Sequence, residues 1–286
     1  MWLGLRSLLL LCFVVTLLQT VYAANNNLQF IEHLPADPNW VLLDSRSSKQ
    51  CRIRSLPGAR CLSIEDILSP GGQLPSLRDI SWLLGTHALR GDETVIVAGN
   101  PGLQRNVMAG LLYLAGQHKV YILSPPLGRV LASGKWSIVA GRAKAMSRQT
   151  IYTASPRDKQ IILRDELWQM ILTDQTVRIL DGRSEAEYWG QHIRGFRGGH
   201  IPGAELFDKQ NDQVSISVKP GVETIFYAHD PLETIGKFVK IQSRNTNPIR
   251  VFIDGWRTWA MNSCLPVDAE SFYDSAKEIR VLKNDA

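Results

Sequence analysis

Short apolar runs alternate with helix-like patterns along most of the chain. In the C-terminal half, residues 164–172 are predicted to form a helix, and residues 177–180 and 224–227 are predicted to form strands. A second helix should run to about residue 241, followed by a strand over residues 250–253. Regular alternation of strands and helices predicts a parallel sheet flanked by helices, which is the α/β class.

The most informative junction follows the strand that ends at Tyr227. Asp230 stands where a helix N-cap is expected, Pro231 at the first helical position, and Glu233 where a capping-box acid belongs. Catalytic groups commonly lie at the carboxyl ends of parallel strands, and helix N-termini there direct backbone N–H groups toward an anion. This junction is therefore the expected active site.

Four short motifs occur twice and in the same order. The paired copies begin at residues 42 and 179, 56 and 201, 94 and 224, and 120 and 251. The order predicts two copies of one domain, at residues 24–140 and 160–286, with a polar tail on the second. The polar segment 141–159 is the natural linker.

The first 23 residues have the pattern of a secretory signal peptide. Arg6 supplies positive charge, residues 8–18 are apolar, and the small residue Ala23 permits cleavage after it. The apolar run is too short for a comfortable membrane span, and no later segment is apolar enough to be one. We expect a periplasmic or secreted protein with no membrane span after cleavage. An uncleaved N-terminal anchor is the alternative.

The distribution of charge and the spacing of possible metal ligands argue against a nucleic-acid-binding protein and against a metalloprotein. The chain has 286 residues and a formal net charge of +5, and its basic residues are spread out. This pattern is typical of a mildly basic solvated surface, so nucleic acid is not predicted as a partner. No cluster of His and Cys has zinc-site spacing, so neither a metal nor another cofactor is expected.

Three cysteines remain after the predicted cleavage, namely Cys51, Cys61 and Cys264. Export permits disulfides, and Cys51 and Cys61 lie close together in a segment that must turn. A bridge between them is one hypothesis, and two buried free thiols are the other. Cys264 is expected to be a partly buried structural thiol.

The C-terminal copy resembles the rhodanese (thiosulfate sulfurtransferase) family. The resemblance is carried by Leu-Asp-Gly-Arg at residues 180–183, Gly-His-Ile-Pro-Gly-Ala at 199–204 and Asp-Gly-Trp-Arg-Thr-Trp at 254–259. The first copy is similar more weakly, with Ser55 where the family has His. The resemblance implies two rhodanese-like domains, each a parallel sheet flanked by helices. The members that this chain resembles are of the tandem type, in which the C-terminal domain is catalytic.

The resemblance also implies where the chemistry should lie. Members of the family carry sulfur as a persulfide on a cysteine at the end of the strand. That position falls on Ala228 here and on Ala98 in the first copy, so no catalytic residue is predicted. Pro231 removes a backbone N–H from the expected anion cradle, and Asp230 and Glu233 add negative charge there.

Arg183, Arg197 and His229 are the candidates for holding a small anion. The two arginines resemble positions that help to hold the anionic sulfur donor in active relatives. The alternative is that they form structural ion pairs with Asp181 or Glu185.

Three functions remain open at this point. We favour an inactive protein that binds an unknown periplasmic protein or a small sulfur-containing anion, in sulfur or respiratory metabolism. The second is an active sulfurtransferase that uses a non-standard cysteine such as Cys264. The third is acid–base or phosphatase-like chemistry through His229 and Asp230, for which the sequence offers no evident nucleophile.

Overall fold

Two parallel β-sheets, one after the other along the chain, form the framework of the protein. The computed structural model describes residues 27–143, 145, 149–173, 175–207 and 222–269. The expected signal peptide, residues 1–23, lies outside this part, as does most of the polar tail.

The first sheet contains five described strands, all paired in parallel, in the spatial order β1-β5-β4-β2-β3. Their bounds are β1 Leu28–Ile31, β2 Trp40–Asp44, β3 Arg60–Cys61, β4 Thr94–Ala98 and β5 Lys119–Leu123. The central strands are apolar on both faces, with Val95, Ile96 and Val97 completely buried. A strand of this kind needs helices on both sides of the sheet.

The second sheet repeats the first, with five described parallel strands in the equivalent order β6-β10-β9-β7-β8. Their bounds are β6 Ile161–Ile162, β7 Val177–Asp181, β8 Ala204–Leu206, β9 Glu223–Tyr227 and β10 Arg250–Phe252. Strand β9 therefore occupies the place in the second sheet that β4 occupies in the first.

Helices cover both sheets. Those of the first half are α1 Ser48–Ile53, α2 Leu77–Thr86, α3 Leu103–Leu114 and α4 Leu127–Ala132. Those of the second half are α5 Arg164–Leu172, α6 Glu185–Tyr188, α7 Pro231–Gln242 and α8 Gly255–Met261. Short 3₁₀ turns lie at Ile64–Asp66 and Asp158–Gln160. The predicted α/β class, with parallel sheets flanked by helices, is confirmed.

Helix α7 begins as its sequence predicts. The Asp230 carboxylate accepts a hydrogen bond from the Glu233 backbone N–H at 2.9 Å, and Pro231 is the first helical residue. This cap satisfies one of the donors that a helix start leaves unpaired.

The two halves pack together mainly through α3 and α7. A Cβ atom at Gly110 would lie 2.4 Å from Ile235 Cγ2, and one at Gly236 would lie 2.4 Å from Leu103 Cδ1. The rings of Tyr113 and Phe238 lie 6.1 Å apart on the same contact, and one hydrophobic cluster contains residues of both halves. Each helix thus presents a glycine to the other, which allows their backbones to approach closely.

The expected linker, residues 141–159, packs on the first half in its described parts. Tyr152 is buried, and the Arg157 guanidinium lies 4.2 Å from the centre of the Tyr113 ring. The Arg157 backbone N–H donates to the Leu114 carbonyl at 2.8 Å.

None of the helices formed by the described residues has the length and apolar character needed to cross a membrane.

Candidate active-site loop

The loop between β9 and α7 is closed by its own residues. Ala228 is completely buried, and its backbone N–H donates to Thr234 Oγ1 at 3.0 Å. Its carbonyl accepts from the Trp256 backbone N–H at 2.8 Å. The Glu233 and Thr234 backbone N–H groups donate to the side chain and the carbonyl of Asp230. Several N–H groups that would otherwise face an anion at this helix start are therefore already bonded within the chain.

A network of charged side chains surrounds the loop. Arg194 Nε donates to Glu187 Oε1 at 2.6 Å, and Arg194 Nη2 donates to Glu233 Oε2 at 2.7 Å. Lys237 Nζ donates to the other Glu233 oxygen. Burial opposes ionisation of Glu233, but the hydrogen bonds from Lys237 and Arg194 outweigh it and lower the pKa of its carboxyl. The negative charge that the sequence indicates at Glu233 is thus compensated by two cations.

His229 lies within this network. Its side chain is buried, and its Nδ1 lies 4.0 Å from Glu187 Oε1 without a hydrogen-bond partner. Burial and the positive charge of Arg194 lower the pKa of His229. Both effects favour the neutral imidazole, so His229 offers less positive charge to an anion than a free histidine would.

Arg183 is bonded to groups of the protein through its Nε and Nη2 atoms. Its guanidinium donates to both oxygens of Asp181 and to the Gly199 carbonyl, and it lies 4.4 Å from the centre of the Trp256 ring. Its side chain is only 2% exposed. The Asp181 carboxylate also accepts from Tyr227 Oη at 2.6 Å. Arg183 thus forms the structural ion pair with Asp181 that the sequence allows.

The equivalent pair in the first half is built in the same way. Arg46 donates to both oxygens of Asp44 and to the Arg54 carbonyl, at distances of 2.6 to 3.0 Å. Ser55 Oγ donates to the same carboxylate at 2.7 Å, as Tyr227 does to Asp181 in the second half. Ala98, at the position equivalent to Ala228, is completely buried.

Arg197 stabilises the end of helix α8. It donates to the carbonyls of Ala260, Asn262 and Leu265, at distances of 2.7 to 3.0 Å. Cationic groups are favourable at a helix C-terminus because the last carbonyls lack partners there. The described contacts of the Arg197 guanidinium are thus with backbone carbonyls.

The cysteines lie apart from this loop in sequence. Cys51 of α1 and Cys61 of β3 form a disulfide across a Cα–Cα distance of 5.6 Å, and both are buried. Cys264 is free and exposed, so the prediction of a partly buried thiol was wrong. The neighbouring Leu265 takes the buried place instead. In the described part of the chain, no group of three or more metal-ligating side chains comes together.

Sequence reasoning missed the residues that set the charge of the loop. Arg194, Glu187 and Lys237 reach it from different elements, and Arg194 is 39 residues from Glu233 along the chain. The only local signal was the spacing of Glu233 and Lys237, four residues apart on α7, which is typical of an ion pair on a helix.

Comparison with known proteins identifies solved structures with a similar fold. No family model matches the sequence, and no curated protein matches it. Among solved structures, a probable thiosulfate sulfurtransferase superposes with a TM-score of 0.60 at 22% identity, covering 82% of this chain and 99% of that one. YnjE superposes with a TM-score of 0.65 at 17% identity, covering 83% of this chain and 64% of its own. Wild-type EanB superposes with a TM-score of 0.65 at 15% identity, and the match covers 83% of this chain and 65% of the EanB chain.

The sequence identities to these proteins are low, but the superpositions cover most of this chain. Together with the two equivalent sheets, they confirm the fold expected from the sequence, an α/β protein with two rhodanese-like domains. The chain spans about two thirds of the length of YnjE and EanB. At these identities the likeness establishes the fold and not the activity.

Proposed function

We infer that this chain is an exported rhodanese-like protein that does not transfer sulfur and acts instead by binding. One observation carries the proposal: the residue at the end of β9, where the family's cysteine is expected, is the completely buried Ala228. Persulfide chemistry needs a thiolate, and an alanine methyl group cannot form one. Ala98 makes the same substitution in the first half.

The other cysteines offer little support for sulfur transfer. Cys51 and Cys61 are joined to each other, and Cys12 lies within the expected signal peptide. Cys264 is exposed beyond helix α8, and its backbone N–H donates to Asn262 Oδ1. A sulfurtransferase that uses Cys264 is the alternative, and the assay below separates it from the binding function.

The ligand is proposed to be a periplasmic protein or a small sulfur-containing anion, in sulfur or respiratory metabolism. Solved structures of the similar protein EanB include complexes with ergothioneine and hercynine and a form with a cysteine persulfide. Those ligands belong to EanB, but they make sulfur compounds a reasonable first set of probes for this chain.

The activity test is formation of thiocyanate from thiosulfate and cyanide by the purified mature protein. Wild type and Cys264→Ser should both remain at the background rate. An activity that disappears in Cys264→Ser would establish the alternative, whereas an activity that survives it would require an unrecognised nucleophile. Either result would overturn the proposal.

Export is tested separately. The predicted cleavage after Ala23 requires an N-terminus at Ala24 in protein recovered from a secretion-competent bacterial host. Intact mass spectrometry distinguishes this product from one that retains Met1 in the membrane fraction. The second product would contradict cleavage after Ala23 and would establish the uncleaved N-terminal anchor instead.

A further inference from the structure

A cavity of about 490 Å³ opens where the N-terminus of α3 meets the C-terminal half of α7. It therefore lies between the two halves of the protein, and residues of both halves line it. Its volume is typical of sites for small organic ligands and is much larger than a single inorganic anion needs.

Four of the side chains that line the cavity are cationic, and none of the described residues that line it is Asp or Glu. The cations are Arg105 of α3, Lys237 and Lys240 of α7, and Arg244 just beyond it. Lys237 is paired with Glu233 and also donates to the Gly182 carbonyl. The pair reduces its contribution, so the inferred positive potential rests on Arg105 and Lys240.

Arg105 is a buried charge whose hydrogen bonds, within the described part of the chain, go to backbone carbonyls and not to a carboxylate. It is 5% exposed, and its Nη1 donates to the carbonyls of Leu123 and Ser124 at 2.6 and 2.9 Å. Its Nε has no partner, and neither does Oδ1 of the adjacent Asn106, which is 4% exposed. Burial lowers the pKa of Arg105, with no carboxylate opposing it. A buried cation of this kind is stabilised by an anion.

The backbone at the start of α3 provides a second, independent feature. Gly102 occupies the N-cap position at a φ of +144°, so no side chain caps the helix, and the first turn contains no acid. The equivalent helix α7 is capped by Asp230. Of the two equivalent helix starts, only that of α3 leaves its first N–H groups without a side-chain cap, next to a cluster of cations.

Apolar side chains form the rest of the cavity. Phe30 of β1, Leu103 and Ile241 lie on its walls, together with Phe207. A ligand that fills this space needs an apolar body in addition to its charge.

We propose that this cavity binds a small organic anion, with its charged group at the α3 N-terminus beside Arg105 and its apolar part against Phe30 and Phe207. The inference rests on the binding function proposed above and names the place and the ligand class.

The test uses the full mature protein with two probes, 8-anilinonaphthalene-1-sulfonate and inorganic thiosulfate. The sulfonate should bind saturably, and the double variant Lys240→Gln/Arg244→Gln should bind it about tenfold more weakly, the change expected from the loss of one charge-assisted contact. The matched control Arg129→Gln/Lys135→Gln removes the same charge from exposed positions that do not line the cavity, and it should bind like wild type. Phe30→Ala should weaken binding of the sulfonate and leave that of thiosulfate unchanged.

The site itself is located by amide chemical shifts. Sulfonate binding should perturb residues 102–106 most strongly, and thermal melting of each variant establishes that it is folded. Unchanged affinity in the Lys240/Arg244 variant, or equal losses in the control, would overturn the cavity proposal. If the shifts instead lie at residues 228–233, the small-anion function stands and the cavity does not. If neither probe binds, both the cavity proposal and the small-anion form of the function are rejected. The protein-binding form of the function then remains.

Discussion

Gly110 of α3 lies directly against Ile235 of α7, with room for no more than a hydrogen atom between them. A methyl group at Gly110 would lie 2.4 Å from Ile235 Cγ2 and 2.9 Å from Val239 Cγ2. Atoms this close must move apart, and the atoms in question belong to the contact that joins the two halves.

We therefore expect Gly110→Ala to lower the free energy of unfolding by about 1–3 kcal/mol through overpacking, measured by urea denaturation. Without the clash, alanine would stabilise a helix interior by roughly 0.5–1 kcal/mol relative to glycine. Gly128→Ala on α4 is the matched control, because nothing lies within 4 Å of a Cβ at that position. Equal stability of the two variants would contradict the close packing of α3 on α7.

The disulfide gives a prediction about the exported protein. Thiol counting on mature, denatured and non-reduced material should find one reactive thiol, that of Cys264. Because Cys51 and Cys61 are separated by 10 residues, the double variant Cys51→Ala/Cys61→Ala should lose about 2–3 kcal/mol of unfolding free energy on the chain-entropy model. Cys264→Ser should change stability by less than about 0.5 kcal/mol because the side chain is exposed. Three reactive thiols would exclude the bridge.

The titration of His229 tests the charge network around the loop. Its pKa should lie below the unfolded value of about 6.5, and Arg194→Gln should raise it because a neighbouring positive charge is removed. Histidine side-chain resonances followed by NMR across pH give both values. A pKa for His229 that is unaffected by Arg194→Gln would contradict the proximity of the two groups.

The same shift predicts a pH dependence of stability. Between the lowered folded pKa and about 6.5, the unfolded state binds a proton at residue 229 that the native state does not. The contribution of His229 to stability is therefore fully present above that window and falls as pH decreases through it. Denaturation at pH values across the window should show a shallower dependence in His229→Gln than in wild type. An identical dependence would contradict burial of the neutral imidazole.

A cysteine placed at position 228 should be a poor nucleophile. The position is completely buried, which raises a thiol pKa above its usual value of about 8.5, so Ala228→Cys alone should show little thiosulfate:cyanide activity. Adding Glu233→Gln removes the carboxylate that neutralises Arg194 and Lys237, and should lower the thiol pKa. The pKa of the thiol in each variant is measured from the ultraviolet absorbance of the thiolate as a function of pH.

The matched control for this pair is Ala228→Cys/Glu205→Gln. Glu205 pairs with Arg178 at the surface of the same domain, so its loss should leave the thiol pKa unchanged. Strong activity in Ala228→Cys alone would show that the missing sulfur is the only defect of the loop.

The features that the sequence predicted correctly depend on neighbours along the chain. The cap of α7 was evident because Asp230 and Glu233 are three residues apart. Strand β9 was evident because residues 224–227 are β-branched or aromatic. The repeated order of motifs then implied two equivalent sheets.

The features that the sequence did not reveal depend on distant pairs. The negative charge of Glu233 is compensated in part by Arg194, which lies in a segment with no periodic pattern. The contact of Gly110 with Ile235 appears only once two helices of different domains are docked. Cys264 was expected to be partly buried because free cysteines usually are, but the turn after α8 buries Leu265 and exposes Cys264.

The carboxylate–arginine pairs of the two domains show what their shared motif does. Asp44 with Arg46, and Asp181 with Arg183, hold the chain just after the equivalent strands β2 and β7 through contacts made entirely within the protein. Both pairs are intact in a chain that has alanine at both expected cysteine positions. A search of genomes with this motif would therefore collect proteins that share an architecture, and the residue that follows β9 would have to be inspected before any of them was assigned an activity.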